Sequence, residues 1–225
     1  MEDEEDVRHR SASVNVPAPS VSVRRMTLHV LSVEHMAAAA RFSREVEALE
    51  KTRDTSAVVH LSSACVFMAF ASLEAYANEV FFDRQFVFLK HKPELIGAIW
   101  KFFEDKPTLE KFDFALVLLE AKPFDKGAAP YQDVVALSKL RNSLMHFKSE
   151  WENSRKTHKT VTELLRGKFK VPKAGKQHDP DFPSRWACHN CTKWVVESCL
   201  AYAREFERLS HLAPQYDSSV GRLSP

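Results

Sequence analysis

Three residues stand close enough together to do chemistry: Arg141, Asn142 and His146, in the run Arg141-Asn142-Ser143-Leu144-Met145-His146. An imidazole titrates near neutral pH and can both take and give a proton. A guanidinium keeps its charge at any working pH and offers an anion a planar fork of donors. An amide beside it can orient either the anion or the ring. Together these groups suit proton transfer at a centre whose negative charge must be held still.

Such residues need an element to hold them. From Tyr131 to about Trp151 the pattern is helical, with Leu137, Leu140, Leu144, Phe147 and Trp151 in one stripe that predicts the core face. At about 100° per residue, Arg141 falls near the edge of that stripe and His146 roughly opposite its centre. Asn142 and His146 are four apart and share a face. Val135, Ser138 and Met145 lie on or beside it. A face mixing apolar residues with an amide and an imidazole predicts a second contact, such as another subunit.

The surrounding chain reads as all-α. Its 225 residues contain only 5 glycines, which disfavours a fold of many tight β-turns. Apolar residues recur at helical spacing from about Leu31 to Lys51, and Asp54 to Ser56 supply cap-type residues. A long helix without Gly or Pro is expected from Ala57 to Lys90, spanning roughly 50 Å. Pro93 and Pro107 open two further segments, to Phe103 and Glu120, and Pro123 to Pro130 is a loop. A short helix is expected at Thr160 to Arg166 and a last one from Ser184 to His211. Residues 1–22 are acidic and Ser/Pro-rich and read as a disordered tail, with Val21 to Val30 as a short extended entry segment. The domain then covers residues 23–211, with 152–184 as a basic insert and 212–225 as a flexible C-terminal tail.

Here the motif and its setting resemble the HEPN domain family. Arg141-Asn142-Ser143-Leu144-Met145-His146 is similar to that family's Arg-x4-6-His motif, in which a polar residue, often Asn, follows the Arg. The upstream stretch Ala71-Ser72-Leu73-Glu74-Ala75-Tyr76-Ala77-Asn78-Glu79 looks like the polar-studded second helix of these domains. The element order also fits over residues 28–210. The resemblance implies a four- to five-helix bundle that forms a homodimer, with two motifs facing each other across a composite cleft. It also implies a metal-independent endoribonuclease, often a toxin with an antitoxin or other protein partner, or a defence factor. Other members are non-catalytic modules that bind a protein or nucleic acid.

The residues suit that chemistry in their own right. Cleaving RNA without a metal needs a proton moved at the 2′-hydroxyl or the leaving oxygen, and fixed charge on the phosphorus-bound oxygens. His146 fits the first need, Arg141 the second, and Asn142 positions the phosphate or the ring. The products would be a 2′,3′-cyclic phosphate and a 5′-hydroxyl. One histidine per chain is awkward for paired acid and base work, and a dimer would supply two.

Other features support or compete. Glu74 and Asn78 share a face of the long helix with Phe70 and Phe81, and could border the cleft and hold Arg141 or form a structural pair. Arg155, Lys156, Lys159, Arg166, Lys168 and Lys170 make the segment after the motif helix locally basic, able to track an RNA backbone or to sit solvated in a loop. Trp151 and Phe169 could stack on bases. Cys188 and Cys191 have zinc-like spacing, but they fall in one helical stripe with Val195, Cys199, Tyr202, Phe206 and Leu209, which reads as core. No metal and no cofactor are expected.

Bulk composition bounds the rest. The net charge of +2 excludes reading nucleic-acid binding from the total. No stretch approaches 18–20 uninterrupted apolar residues, so no membrane span is expected. The acidic start Met1-Glu2-Asp3-Glu4-Glu5-Asp6 is unlike a secretory signal. A cytoplasmic location with four reduced cysteines follows as the expectation.

Overall fold

The structure is a computed structural model that describes residues 30–52, 54–150, 156–171, 181–216 and 220–225. The expected N-terminal tail and most of the extended entry segment lie outside the described residues. All described regular structure is helical, in the order α1 (Leu31–Glu50), α2 (Thr55–Phe82), α3 (Arg84–Val87), α4 (Pro93–Phe103), α5 (Thr108–Leu118), α6 (Tyr131–Met145), α7 (Lys159–Leu165), α8 (His189–Ser210) and α9 (Val220–Leu223).

The long helix α2 is central. Asp54 caps it, its carboxylate accepting the Ala57 amide at 3.0 Å. α2 packs against α1, α8, α6 and α5. It stops eight residues short of the expected Lys90. At Asp83 the chain turns (φ −82°, ψ 22°) and α3 begins. Phe88 folds back against Phe81 at 5.2 Å, and Trp100 of α4 stacks on the same ring at 4.2 Å. Burying Phe88 and Trp100 on Phe81 outweighs the helical pattern of residues 84–90, which tertiary context commonly overrides.

The expectation that no stretch reaches membrane-spanning apolarity needs correction. An 18-residue window of α2 has a mean hydropathy of 1.7, enough by length and composition to cross a bilayer. In this fold, however, its polar groups Ser72, Tyr76 and Glu79 are all bonded to α1, α8 or the C-terminal segment, as befits the central helix of a bundle.

Val30, at the N-cap of α1, has no side-chain acceptor to offer the first amides. Glu79 of α2 does that work. Its Oε1 accepts the Leu31 and Ser32 amides at 2.9 and 3.0 Å, and its Oε2 accepts the Ser32 hydroxyl at 2.6 Å. Gln215, beyond α8, donates its side-chain amide to the same Oε2 at 3.0 Å.

The C-terminal segment is therefore part of the bundle rather than a flexible tail. Tyr216 and Leu223 are buried in the core. Arg222 makes a two-pronged contact with Glu34 of α1, at 3.1 and 2.8 Å. α8 starts five residues later than expected, where Cys188 is extended, and its first amide is received by Glu50 at 2.7 Å. Cys188, Cys191, Val195, Cys199, Tyr202, Phe206 and Leu209 are all buried, as the stripe predicts.

Replacing Glu79 by Ala should lower the unfolding free energy by about 2–4 kcal/mol, because two amides and a hydroxyl lose a charged acceptor. Glu79→Gln should cost less, since the amide oxygen keeps one acceptor. Urea denaturation of the two variants checks both the size and the order.

Candidate functional site

α6 is held by Val134, Ala136, Leu137 and Leu140, all buried against the core. The helix ends at Met145, six residues before the expected Trp151. His146 occupies the C-cap (φ −117°, ψ 43°), its amide bonded to the Asn142 carbonyl at 2.9 Å. Phe147 leaves the helical stripe and is half exposed. It stacks on His158 at 4.9 Å with the rings 14° apart, and Phe182 meets the same imidazole edge-on at 5.2 Å. That aromatic cluster draws the chain off the helix axis. Trp151 lies outside the described residues.

The premature end creates a cavity of about 310 Å³. Asn142, Ser143 and His146 line it from the last turn of α6, and Lys139 from one turn earlier. Lys148 enters from the segment after the helix, and Thr157 and His158 from the residues before α7. Each of these side chains can donate a hydrogen bond, and no carboxylate lines the cavity.

Two contacts stitch the far wall. His158 is 5% exposed, and its Nε2 meets the Lys148 carbonyl at 2.9 Å. A carbonyl only accepts, so Nε2 carries the proton. The Glu150 carboxylate accepts the Lys156 and Thr157 amides at 3.1 and 2.8 Å. The Thr157 amide holds the Glu150 carboxyl below its ordinary range. This clasp commits the nearby acid to backbone amides.

Arg141 is not among the residues lining the cavity. It is half-buried, with its guanidinium 5.5 Å from the centre of the Phe70 ring on α2. Its Nη1 donates to the Asn142 amide oxygen at 2.9 Å. Asn142 thus links Arg141 to the cavity.

Glu74 and Asn78 do not hold Arg141. Both serve Lys111 of α5, which is 2% exposed. Its Nζ donates to Asn78 Oδ1 at 3.1 Å, lies 3.9 Å from Glu74 and sits 5.4 Å from the centre of the Trp100 ring. A buried ammonium requires such partners, so the structural pair weighed from sequence is the arrangement found. These residues border a different, larger cavity of about 970 Å³ between α2, α4 and α5.

The basic insert divides. Lys168 is tied to Asp133 of α6 at 2.5 Å, and Lys159 lies 3.9 Å from Glu163 in its own helix. Lys156, Arg166 and Lys170 are exposed, and Arg155 lies outside the described residues. Phe169 packs 5.6 Å from Trp194, which removes it as a base-stacking platform. Among the described residues, no group of three or more His, Cys, Asp or Glu is placed to hold a metal. Burial pushes the Cys65, Cys191 and Cys199 thiols well above their usual range, as for inert core cysteines.

Sequence reasoning missed Lys139, Lys148, Thr157 and His158. Lys139 was legible, since it precedes Asn142 by three and His146 by seven, on one helical face. The other three come from irregular chain and carry no periodic signal.

No family model, curated protein or solved structure matches the chain.

Because the folded state depresses the Glu150 carboxyl, the clasp is intact above the ordinary glutamate range of about 4.3. It is lost as pH falls through the lower folded value. Protection of the Thr157 amide, the slowing of its exchange relative to the intrinsic rate at the same pH, should be high near neutrality, fall only below the ordinary range, and be low at every pH in Glu150→Ala.

Proposed function

We propose that this protein is a metal-independent endoribonuclease of HEPN type that works as a cytoplasmic homodimer, with His146 as its acid–base group. The observation that supports this is the cavity itself: Asn142 and His146 share a donor-lined, carboxylate-free hollow at the end of α6. Such a lining favours an anion, and an imidazole within it can move a proton beside that anion.

In this reading the neutral His146 ring takes the proton of an RNA 2′-hydroxyl. The 2′-oxygen bonds to the adjacent phosphorus while the bond from phosphorus to the 5′-oxygen breaks. An imidazolium returns a proton to that leaving oxygen, so a 2′,3′-cyclic phosphate and a 5′-hydroxyl form and no water is consumed. Asn142 donates to a phosphate oxygen, and Arg141 acts through Asn142 by holding its amide oxygen. A second copy would supply a second imidazole, and with it a separate base and acid. An antitoxin or other protein partner belongs to the same family reading.

A second reading, a non-catalytic binding module, is favoured by an apolar set on α2 to α4. Phe82, Phe86, Leu89, Leu95 and Phe102 are all more than half exposed, as a protein-contact surface would be.

Purified protein incubated with RNA and EDTA tests the proposal. Wild type should cleave and leave cyclic phosphate ends. His146→Ala should lose about 10²- to 10⁴-fold in rate, the usual worth of general acid–base catalysis. Asn142→Ala and Arg141→Ala should lose less, about tenfold each. Undiminished cleavage by His146→Ala removes the site. A folded dimer that cuts no RNA supports the binding-module reading instead.

A further inference from the structure

We propose that the cavity at the end of α6 is a phosphate site complete within one chain, and that Lys139 and Lys148, rather than Arg141, supply its charge. The proposal deepens the ribonuclease reading by naming what holds the phosphate, but the site stands on its own geometry.

Lys139 and Lys148 approach the hollow from different stretches of chain, one from α6 and one from the segment beyond it. Among the described residues neither ammonium has an ion-pair partner. In contrast, Lys111, Lys126 and Lys168 each meet a carboxylate. Two unpaired lysines lining one hollow carry like charges that an anion between them would neutralise.

The site is held ready rather than assembled by the ligand. The Lys148 backbone is pinned by His158, whose ring packs against both Phe147 and Phe182. The Glu150 clasp fixes the chain carrying Thr157 and commits that carboxylate to backbone amides. Ser143, Thr157 and Asn142 add neutral donors around the same hollow. The C-terminus of α6 brings roughly half a negative charge nearby and Glu150 a full one at the Thr157 amide, and two full positive charges still exceed their sum. The volume, about 310 Å³, is at the small end of ligand clefts and suits a phosphate with part of what bears it.

Arg141 is spent elsewhere. Its guanidinium lies over Phe70 and grips Asn142, so to reach a phosphate in this hollow it would have to leave both. That makes it a positioning residue.

The test is titration of the full-length protein with inorganic phosphate and with uridine 3′-monophosphate, following the His146 ring by NMR. Wild type should bind both at about millimolar strength, as expected of a few charge-assisted contacts. Lys139→Gln and Lys148→Gln should each weaken phosphate binding by about threefold or more, and the pair by about tenfold or more. Lys101→Gln, at an exposed lysine of α4, should change it by less than about twofold, and Arg141→Gln should weaken it less than either lysine variant. Binding unaltered in the double lysine variant, or lost equally in Lys101→Gln, overturns the proposal. A larger loss in Arg141→Gln than in the lysine variants returns the charge to Arg141 and also overturns it. Phosphate binding by a protein that cuts no RNA supports this site and removes the ribonuclease reading, so the two fail separately. Tighter binding of the nucleotide than of inorganic phosphate identifies the bearer as a nucleic acid.

Discussion

The bundle depends on how α2 satisfies its own polar groups. In the C-terminal half of α2, a carboxylate, a phenol and a hydroxyl directed at its neighbours each find partners. Glu79 accepts the first amides of α1 and the Gln215 side chain. Ser72 has one proton, which must go to the Ser32 carbonyl at 2.6 Å, so the Tyr216 hydroxyl donates to Ser72 at 2.9 Å. Tyr76 donates to Glu207 of α8 at 3.1 Å, and the Gln215 amide meets the same carboxylate at 2.7 Å. Burial and the neighbouring Glu207 push the Tyr76 phenol well above its usual range, so it stays a donor. Four segments far apart in sequence are locked by one connected set of bonds. Around it, Phe112, Phe206 and Tyr216 each meet the Tyr76 ring edge-on at 5.8 Å, adding packing that only this register allows.

That lock places α6 at the margin. α6 is buried along one stripe against α2 and α8, and its other side faces outward. Arg141 marks the boundary, with its charge on Phe70 and its Nη1 on Asn142. Beyond it the helix gives out. The energy that ends the helix comes from ring contacts made by His158 and Phe182 with Phe147, groups 11 and 35 positions further along. The cavity exists because the helix stops where it does. Three more turns of ideal helix would carry residues 147–156 away from His146 and leave it on a plain outer face.

This explains what sequence could and could not show. The helical class and the cores of α1, α2 and α8 were legible because apolar spacing is a local signal. The cysteine stripe of α8 is the clearest case, since helical periodicity placed Cys191 and Cys199 in the core, where both are buried. The break at Asp83 and the end of α6 were not legible. Each follows from aromatic residues that meet only after folding, Phe88 and Trp100 on Phe81 in one case and His158 on Phe147 in the other. The C-terminal segment misled for a related reason. Its composition is polar and loop-like, yet Tyr216, Gln215 and Arg222 each meet a partner more than 130 positions away.

The geometry also changes what a second chain is needed for. Read from sequence, a lone motif carries its charge in Arg141 and lacks a second proton carrier, which a dimer supplies. The cavity adds two lysines from the same chain to that charge. It does not add a second proton carrier. His158 lines the same hollow, but its Nε2–H is committed to the Lys148 carbonyl and its ring is stacked and buried. Moving it to a substrate would break the clasp that holds Lys148. His158 therefore builds the site and His146 alone is free to exchange protons there. Under the ribonuclease reading, phosphate binding then belongs to the single chain, and only the division of base from acid calls for two.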